Sequence, residues 1–167
     1  QKAMNIAPGL KRRFAAERYG FVPAAIWAEQ RQKALAEAKL DVGFEAFGYD
    51  IDPAAVALAN ANANLACVEK PCHFEVADVA DFAANQEASV LMNPPYGERM
   101  STIVGAGKLA RTLGRQMEAH PCAGVYAITA DMDFETHYGK RANKRRKMYN
   151  GMIPCQLYMY YSAPQFE

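Results

Sequence analysis

The sequence has no apolar run long enough to span a bilayer, and no secretory leader is visible at its start. A membrane role is therefore not expected. Cysteine is sparse: Cys67, Cys72, Cys122 and Cys155 are scattered without the spacing of a metal site or a disulfide framework. Such thiols read as reduced, which places the protein in the cytoplasm and predicts no metal. The three histidines, His73, His120 and His137, have no partner pattern and read as structural or surface residues. Charge of one sign is also lacking. With 19 basic and 18 acidic residues the net charge is +1, so any attraction to a polyanion must come from local clustering. Such a cluster exists, since six of the eight residues from Lys140 to Lys147 are basic. There is no internal repeat and no low-complexity segment. What remains is a globular composition in one domain, long enough to bury a single core.

The chain opens on Gln1-Lys2-Ala3-Met4, which has helical character, and Asn5-Ile6-Ala7-Pro8-Gly9 breaks it. That is how a helix ends, and the expectation is a chain that starts part-way through a larger domain. Pro23 suits the first turn of a helix running to about Leu40. In that helix Ile26, Trp27, Gln30, Ala34, Leu35 and Ala38 recur at helical spacing, and Trp27 is expected in the core. Strands are expected over 44–51, 74–77, 88–92, 125–129 and 156–162, and helices over 53–66 and 103–119. Gly105 and Gly107 blur the start of the second of these helices. Residues 132–138 read as a short helix or turn, the basic run as a solvated loop, and Tyr149-Asn150-Gly151 as a turn. Strands alternating with helices give an α/β domain with a mostly parallel sheet and an antiparallel pair near the C-terminus.

The organising stretch is Val90-Leu91-Met92-Asn93-Pro94-Pro95-Tyr96-Gly97. Its apolar start reads as a buried strand, and two prolines stop it, because proline supplies no N–H to a ladder. A stiff loop results at the carboxyl end of a strand, where open α/β sheets place ligands. An exocyclic amine on a nucleobase is a poor nucleophile, its lone pair being delocalised into the ring. The Asn93 side-chain oxygen and the Pro94 carbonyl offer two fixed acceptors for its two N–H bonds. They favour a more tetrahedral nitrogen and stabilise the developing positive charge. Tyr96 offers a face on which an extruded base stacks. Asp50 and Asp78 also end strands. Asp50 suits ribose hydroxyls, and Asp78 suits an adenine amino group with Val79 packing the ring. Each also reads as a helix N-cap, the better explanation of Asp52, which precedes Pro53.

Gly-Tyr-Asp-Ile-Asp-Pro, Val-Ala-Asp-Val, Asn-Pro-Pro-Tyr-Gly-Glu-Arg and the late Tyr-Gly-Lys-Arg-Ala-Asn-Lys-Arg-Arg-Lys-Met-Tyr-Asn-Gly together resemble one family. It is the THUMP-associated S-adenosylmethionine-dependent RNA methyltransferases, and among them the bacterial 23S rRNA guanine-N2 group. The resemblance covers nearly the whole chain. It implies an α/β, Rossmann-like class I methyltransferase sheet with a C-terminal antiparallel strand pair. It also implies S-adenosyl-L-methionine as cofactor and ribosomal RNA as partner. Cofactor contacts then fall to Asp50, Ile51, Asp78, Val79 and Asn93, and the target base to Asn93, Pro94, Pro95 and Tyr96. Lys140, Lys144, Arg145, Arg146 and Lys147 are expected on RNA phosphates. Asn-Pro-Pro-Tyr is shared with adenine-N6 and cytosine-N4 DNA methyltransferases, so adenine-N6 methylation of DNA or RNA is the alternative within the class. A non-catalytic RNA-binding fragment is the alternative outside it. The chain lacks the family's THUMP domain and its glycine-rich loop with the first strand. The expectation is that residues 1–167 form the C-terminal part of one catalytic domain, completed by an upstream segment of the same protein.

Overall fold

The structure, a computed structural model, describes residues 1–94 and 103–161. The chain folds as two compact units, Gln1–Ala77 and Asp78–Glu167. Among the described residues no helix is long and apolar enough to cross a membrane.

The first unit is a strand–helix–strand crossover with an N-terminal extension. β1 (Ala46–Asp50) and β2 (Cys72–Val76) pair in parallel, with Ala46 opposite Cys72 and Asp50 opposite Val76. α2 (Pro53–Leu65) joins them, begun by Asp52, whose Oδ1 accepts the Ala54 N–H at 2.9 Å, and by Pro53 at the first helical position. Gly48 lets the two strands pack, since a Cβ there would come within 2.6 Å of the Phe74 ring. The opening segment is a short 3-10 turn, Lys2–Met4, closed by Asn5 in the left-handed conformation. It is tied down: Met4 and Ile6 are buried with Ala63 and Val68, and the Met4 carbonyl accepts the Lys39 N–H at 2.8 Å.

α1 (Ala24–Ala36) departs from expectation. The helix forms and Pro23 begins it, but none of its residues is buried, and Ile26 and Leu35 are exposed. Trp27 is half-buried and stacks on Phe14 at 6.1 Å, with its indole N–H unpartnered among the described residues. Helical periodicity assigns the apolar side chains to a face, but it does not say that anything covers that face.

The second unit carries a four-stranded sheet in the order β3-β4-β6-β5. β3 (Ser89–Met92) is parallel to β4 (Gly124–Thr129), and α3 (Ile103–Ala119) lies between them in sequence. After α4 (Phe134–Tyr138) the chain forms a hairpin of β5 (Lys144–Asn150) and β6 (Ile153–Tyr161). β6 runs antiparallel to both neighbours, so β5 runs with β4. The core sits on one face of this sheet. Ala110, Leu113 and Met117 of α3 meet Val125, Ala127, Tyr158 and Tyr160, and Phe134 and Tyr138 close it. α3 and α4 approach closely at Gly114, where a Cβ would lie 2.0 Å from the Tyr138 carbonyl oxygen.

The basic run is the second correction. It was expected as a loop ending in a turn at 149–151, but Lys144–Asn150 is the sheet's edge strand and the turn is Gly151-Met152. Gly151 has φ 61° and Met152 is not left-handed, which fits a type II′ connection. All seven β5 residues are exposed, so neither face carries the apolar alternation that marks a half-buried strand.

Candidate methyl-transfer site

Asp50 is the last residue of β1. Its Oδ1 accepts the Asp52 N–H at 2.9 Å and its carbonyl accepts the Ala77 N–H at 3.1 Å, which holds the strand end still. Asp78 caps a 3-10 turn (Val79–Asp81), with Oδ1 accepting the Ala80 N–H at 2.8 Å. Both carboxylates thus serve as local turn formers. Each spends one oxygen, and among the described residues the other oxygen of each has no hydrogen-bond partner. Ile51 follows Asp50 and is exposed. Val79 packs against the core of the second unit, and the Ala80 carbonyl accepts from the Gln116 amide of α3. The turn that aims Asp78 therefore rests on α3.

Met92, the last residue of β3, is level with Ala127 of β4, Tyr158 of β6 and Arg145 of β5. Asn93 and Pro94 follow directly at the carboxyl end of the parallel pair. The Asn93 side chain is exposed and Pro94 is half-buried. Among the described residues Asn93 has no hydrogen-bond partner, so its amide is not consumed by the fold. Pro95 and Tyr96, expected at the target base, lie outside the described residues.

A further polar pair at the same sheet edge escaped the sequence reading. Asp131, two residues past β4, takes the Asp133 N–H on Oδ1 at 2.9 Å and meets His137 Nδ1 with Oδ2 at 2.9 Å. The His137 ring lies against Gly107 of α3, where a Cβ would come within 3.2 Å of it. His137 therefore has an acidic partner that the sequence does not announce, and it fits the structural reading. The rule that singled out Asp50 and Asp78, an acidic residue just beyond a strand, would have found Asp131. His73 also has an acidic neighbour, with Nε2 at 3.8 Å from Glu45.

The basic residues separate by whether the fold gives them an acidic partner. Arg145 shares a sheet face with Tyr158 and forms an ion pair with Glu135 of α4 at 3.1 Å. Glu135 also accepts the Ala142 N–H at 2.8 Å and so fixes the entry into β5. Among the described residues Lys140, Lys144, Arg146 and Lys147 make no ion pair.

An antiparallel strand inserted between two strands that run with the parallel pair is the mark of the class I methyltransferases, and the chain has that fold. The family described as RMKL-like, methyltransferase domain, matches residues 1–159, and the chain belongs to it. YpsC of Bacillus subtilis, named provisionally as an RNA methyltransferase, is 34% identical over 159 residues, covering 95% of this chain and 41% of that protein. Ribosomal RNA large subunit methyltransferase K/L of Shewanella amazonensis is 34% identical over 164 residues, covering 95% and 23%. Among solved structures SMU.472, a provisionally assigned methyltransferase in complex with SAH, superposes with a TM-score of 0.84 at 32% identity, covering 96% of this chain and 43% of that one. The chain thus spans well under half the length of these relatives.

Proposed function

We propose that this chain acts in methyl transfer from S-adenosylmethionine to the exocyclic amine of a nucleobase in RNA, with guanine N2 of 23S ribosomal RNA as the target. The observation that carries the reading is Asn93-Pro94 at the carboxyl end of β3, with the Asn93 side chain exposed and unpaired among the described residues, in a member of a methyltransferase family. Relatives named for ribosomal RNA methylation support RNA as substrate. The SAH-bound neighbour supports the cofactor. The free oxygens of Asp50 and Asp78 fit it: the first, beside Ile51, suits ribose hydroxyls, and the second, beside Val79, suits an adenine amino group. When bound, the cofactor supplies an electrophilic methyl group.

The protein's own part is to bind and polarise. Asn93 Oδ1 and the Pro94 carbonyl accept the two amine N–H bonds, turning the nitrogen lone pair out of conjugation and toward the methyl. Pro95 and Tyr96 are assigned to the target base by the resemblance, Tyr96 as the ring on which it stacks. No covalent enzyme intermediate is needed, and the amine proton leaves after transfer. Lys140, Lys144, Arg146 and Lys147 contact phosphates. Arg145, held by Glu135, positions β5 for them. The scattered thiols favour a cytoplasmic setting. We propose also that a segment upstream of Gln1 carries the glycine-rich loop and a THUMP domain, a reading favoured by the greater length of the relatives.

The test is tritium transfer from labelled S-adenosylmethionine into defined RNA and DNA by the intact protein, with the modified nucleoside identified after hydrolysis. Label in N2-methylguanosine is the expected result. Label in N6-methyladenosine would replace guanine by adenine, and RNA binding without transfer would make this an RNA-binding module.

A further inference from the structure

Resting on RNA as the substrate, we infer that the β5–β6 hairpin is a second RNA contact, in which Tyr149 stacks an unpaired base flanking the target while the β5 cations hold its phosphates. β5 runs with β4 but continues past it, because Thr129, the last residue of β4, is level with Gln156 and hence with Lys147. Met148, Tyr149, Asn150 and the turn therefore project beyond the sheet edge that carries Asn93. Asn93 is one step past the level of Arg145, so Tyr149 stands about 10 Å farther along the strands and about 14 Å across the sheet. That is beyond the reach of the target base itself and within reach of a nearby nucleotide on the same strand.

The chemistry of this projection is specific. Tyr149 is 63% exposed and Met152, at the tip, is 95% exposed. Lys147 Nζ sits 5.5 Å from the centre of the Tyr149 ring, so a cation accompanies the aromatic face. From Lys144 to Tyr161 there are four cations and no acidic residue, and only Arg145 is neutralised, by Glu135. A flat ring beside unpaired cations complements a polyanion whose bases have exposed faces. Bases inside a duplex do not expose theirs, so the fit is to single-stranded RNA.

Anisotropy titrations of labelled single-stranded RNA, and of the same sequence in duplex form, across a salt series test this. Tyr149→Ala is expected to weaken single-strand binding about 5- to 100-fold, leaving the salt dependence and duplex binding unchanged, with Tyr149→Phe close to wild type. The combined Lys144→Ala, Arg146→Ala and Lys147→Ala variant is expected to lower the slope of log affinity against log salt by about 0.7 per lost contact. Normal single-strand affinity in Tyr149→Ala, with the slope still lowered in the triple variant, would overturn the stacking inference and leave the substrate reading standing. Equal loss on single strand and duplex would also overturn it. Absence of salt-dependent RNA binding in the wild-type protein would overturn both. Because Tyr149 is exposed, these variants keep the fold, and matched melting temperatures verify it.

Discussion

Asp50 and Asp78 each commit one side-chain oxygen to the fold. One oxygen builds the turn that ends the strand, and the other has no hydrogen-bond partner among the described residues. For Asp78 the N-cap reading leaves room for the cofactor reading, whereas Asp50 braces the turn and Asp52 is the cap. Asp50→Ala is expected to weaken cofactor binding in the intact protein by roughly 1.5–3 kcal/mol, the range for hydrogen bonds to a charged group. Calorimetry measures it, and an unchanged dissociation constant would return Asp50 to turn-building alone. Gly114 presents a contest of a different kind. On helix propensity Gly114→Ala stabilises by about 1 kcal/mol, but the new methyl meets the Tyr138 carbonyl oxygen at 2.0 Å, inside van der Waals contact. The clash is against backbone on a short helix that closes the core, so it outweighs propensity. A net loss of about 1–3 kcal/mol is expected in urea unfolding. Nothing in the sequence around Gly114 signals this, because the contact is made by a residue 24 positions away (Tyr138).

At the scale of elements, legibility followed burial on a single face. β3 is readable as an apolar run, although only Val90 and Met92 pack against the core and Leu91 is exposed, and α3 turns Ala110, Leu113 and Met117 to that core. β5 is not readable in this way. Its pairing energy comes from the backbone ladder to β6, and four of its seven exposed residues are cations, which also keeps the edge from pairing with other chains. Arg145 separates structure from binding within that strand. Since its guanidinium is engaged by Glu135, Arg145→Ala should cost roughly 0.2–1 kcal/mol of stability, the range for a partly exposed pair. It should leave the salt slope of RNA binding nearly unmoved. A slope change as large as that from Arg146→Ala would place Arg145 on RNA after all.

The tyrosines packed between α4 and β6 make a pH prediction. Burial pushes the Tyr138 phenol up to about 12, and Tyr160 is raised further by burial and by neighbouring Glu135. A phenol that resists ionisation in the folded state contributes stability that is complete below its ordinary value near 10. Above that the unfolded chain releases its proton first, so stability falls as pH rises toward about 12. Unfolding titrations at rising alkaline pH should show this fall, and Tyr138→Phe should flatten it. An equal slope in both proteins would mean that Tyr138 is not the group responsible.

For the whole molecule, the class of fold and the family were legible because a few residues at strand ends carry them. Val-Ala-Asp-Val, Gly-Tyr-Asp-Ile-Asp-Pro and Asn-Pro-Pro-Tyr each join a strand terminus to a chemical group. The division into two units was not legible, nor was the bare face of α1, since both depend on what packs against an element rather than on its own pattern. β1 pairs only with β2, and β3 only with β4, among the described strands. Each is therefore able to accept a further strand. The central claim is that Asn93 acts chiefly on the target amine, so that its loss costs rate far more than cofactor affinity. Its most direct test is the single-turnover rate of tritium transfer to RNA by Asn93→Ala in the intact protein, measured beside its affinity for S-adenosylmethionine. The account predicts a rate lowered by at least about 10²-fold, the scale of losing one preorganised polar contact at a developing charge, with cofactor affinity within a few-fold of wild type. A near-normal rate, or a loss that tracks weakened cofactor binding, would contradict it.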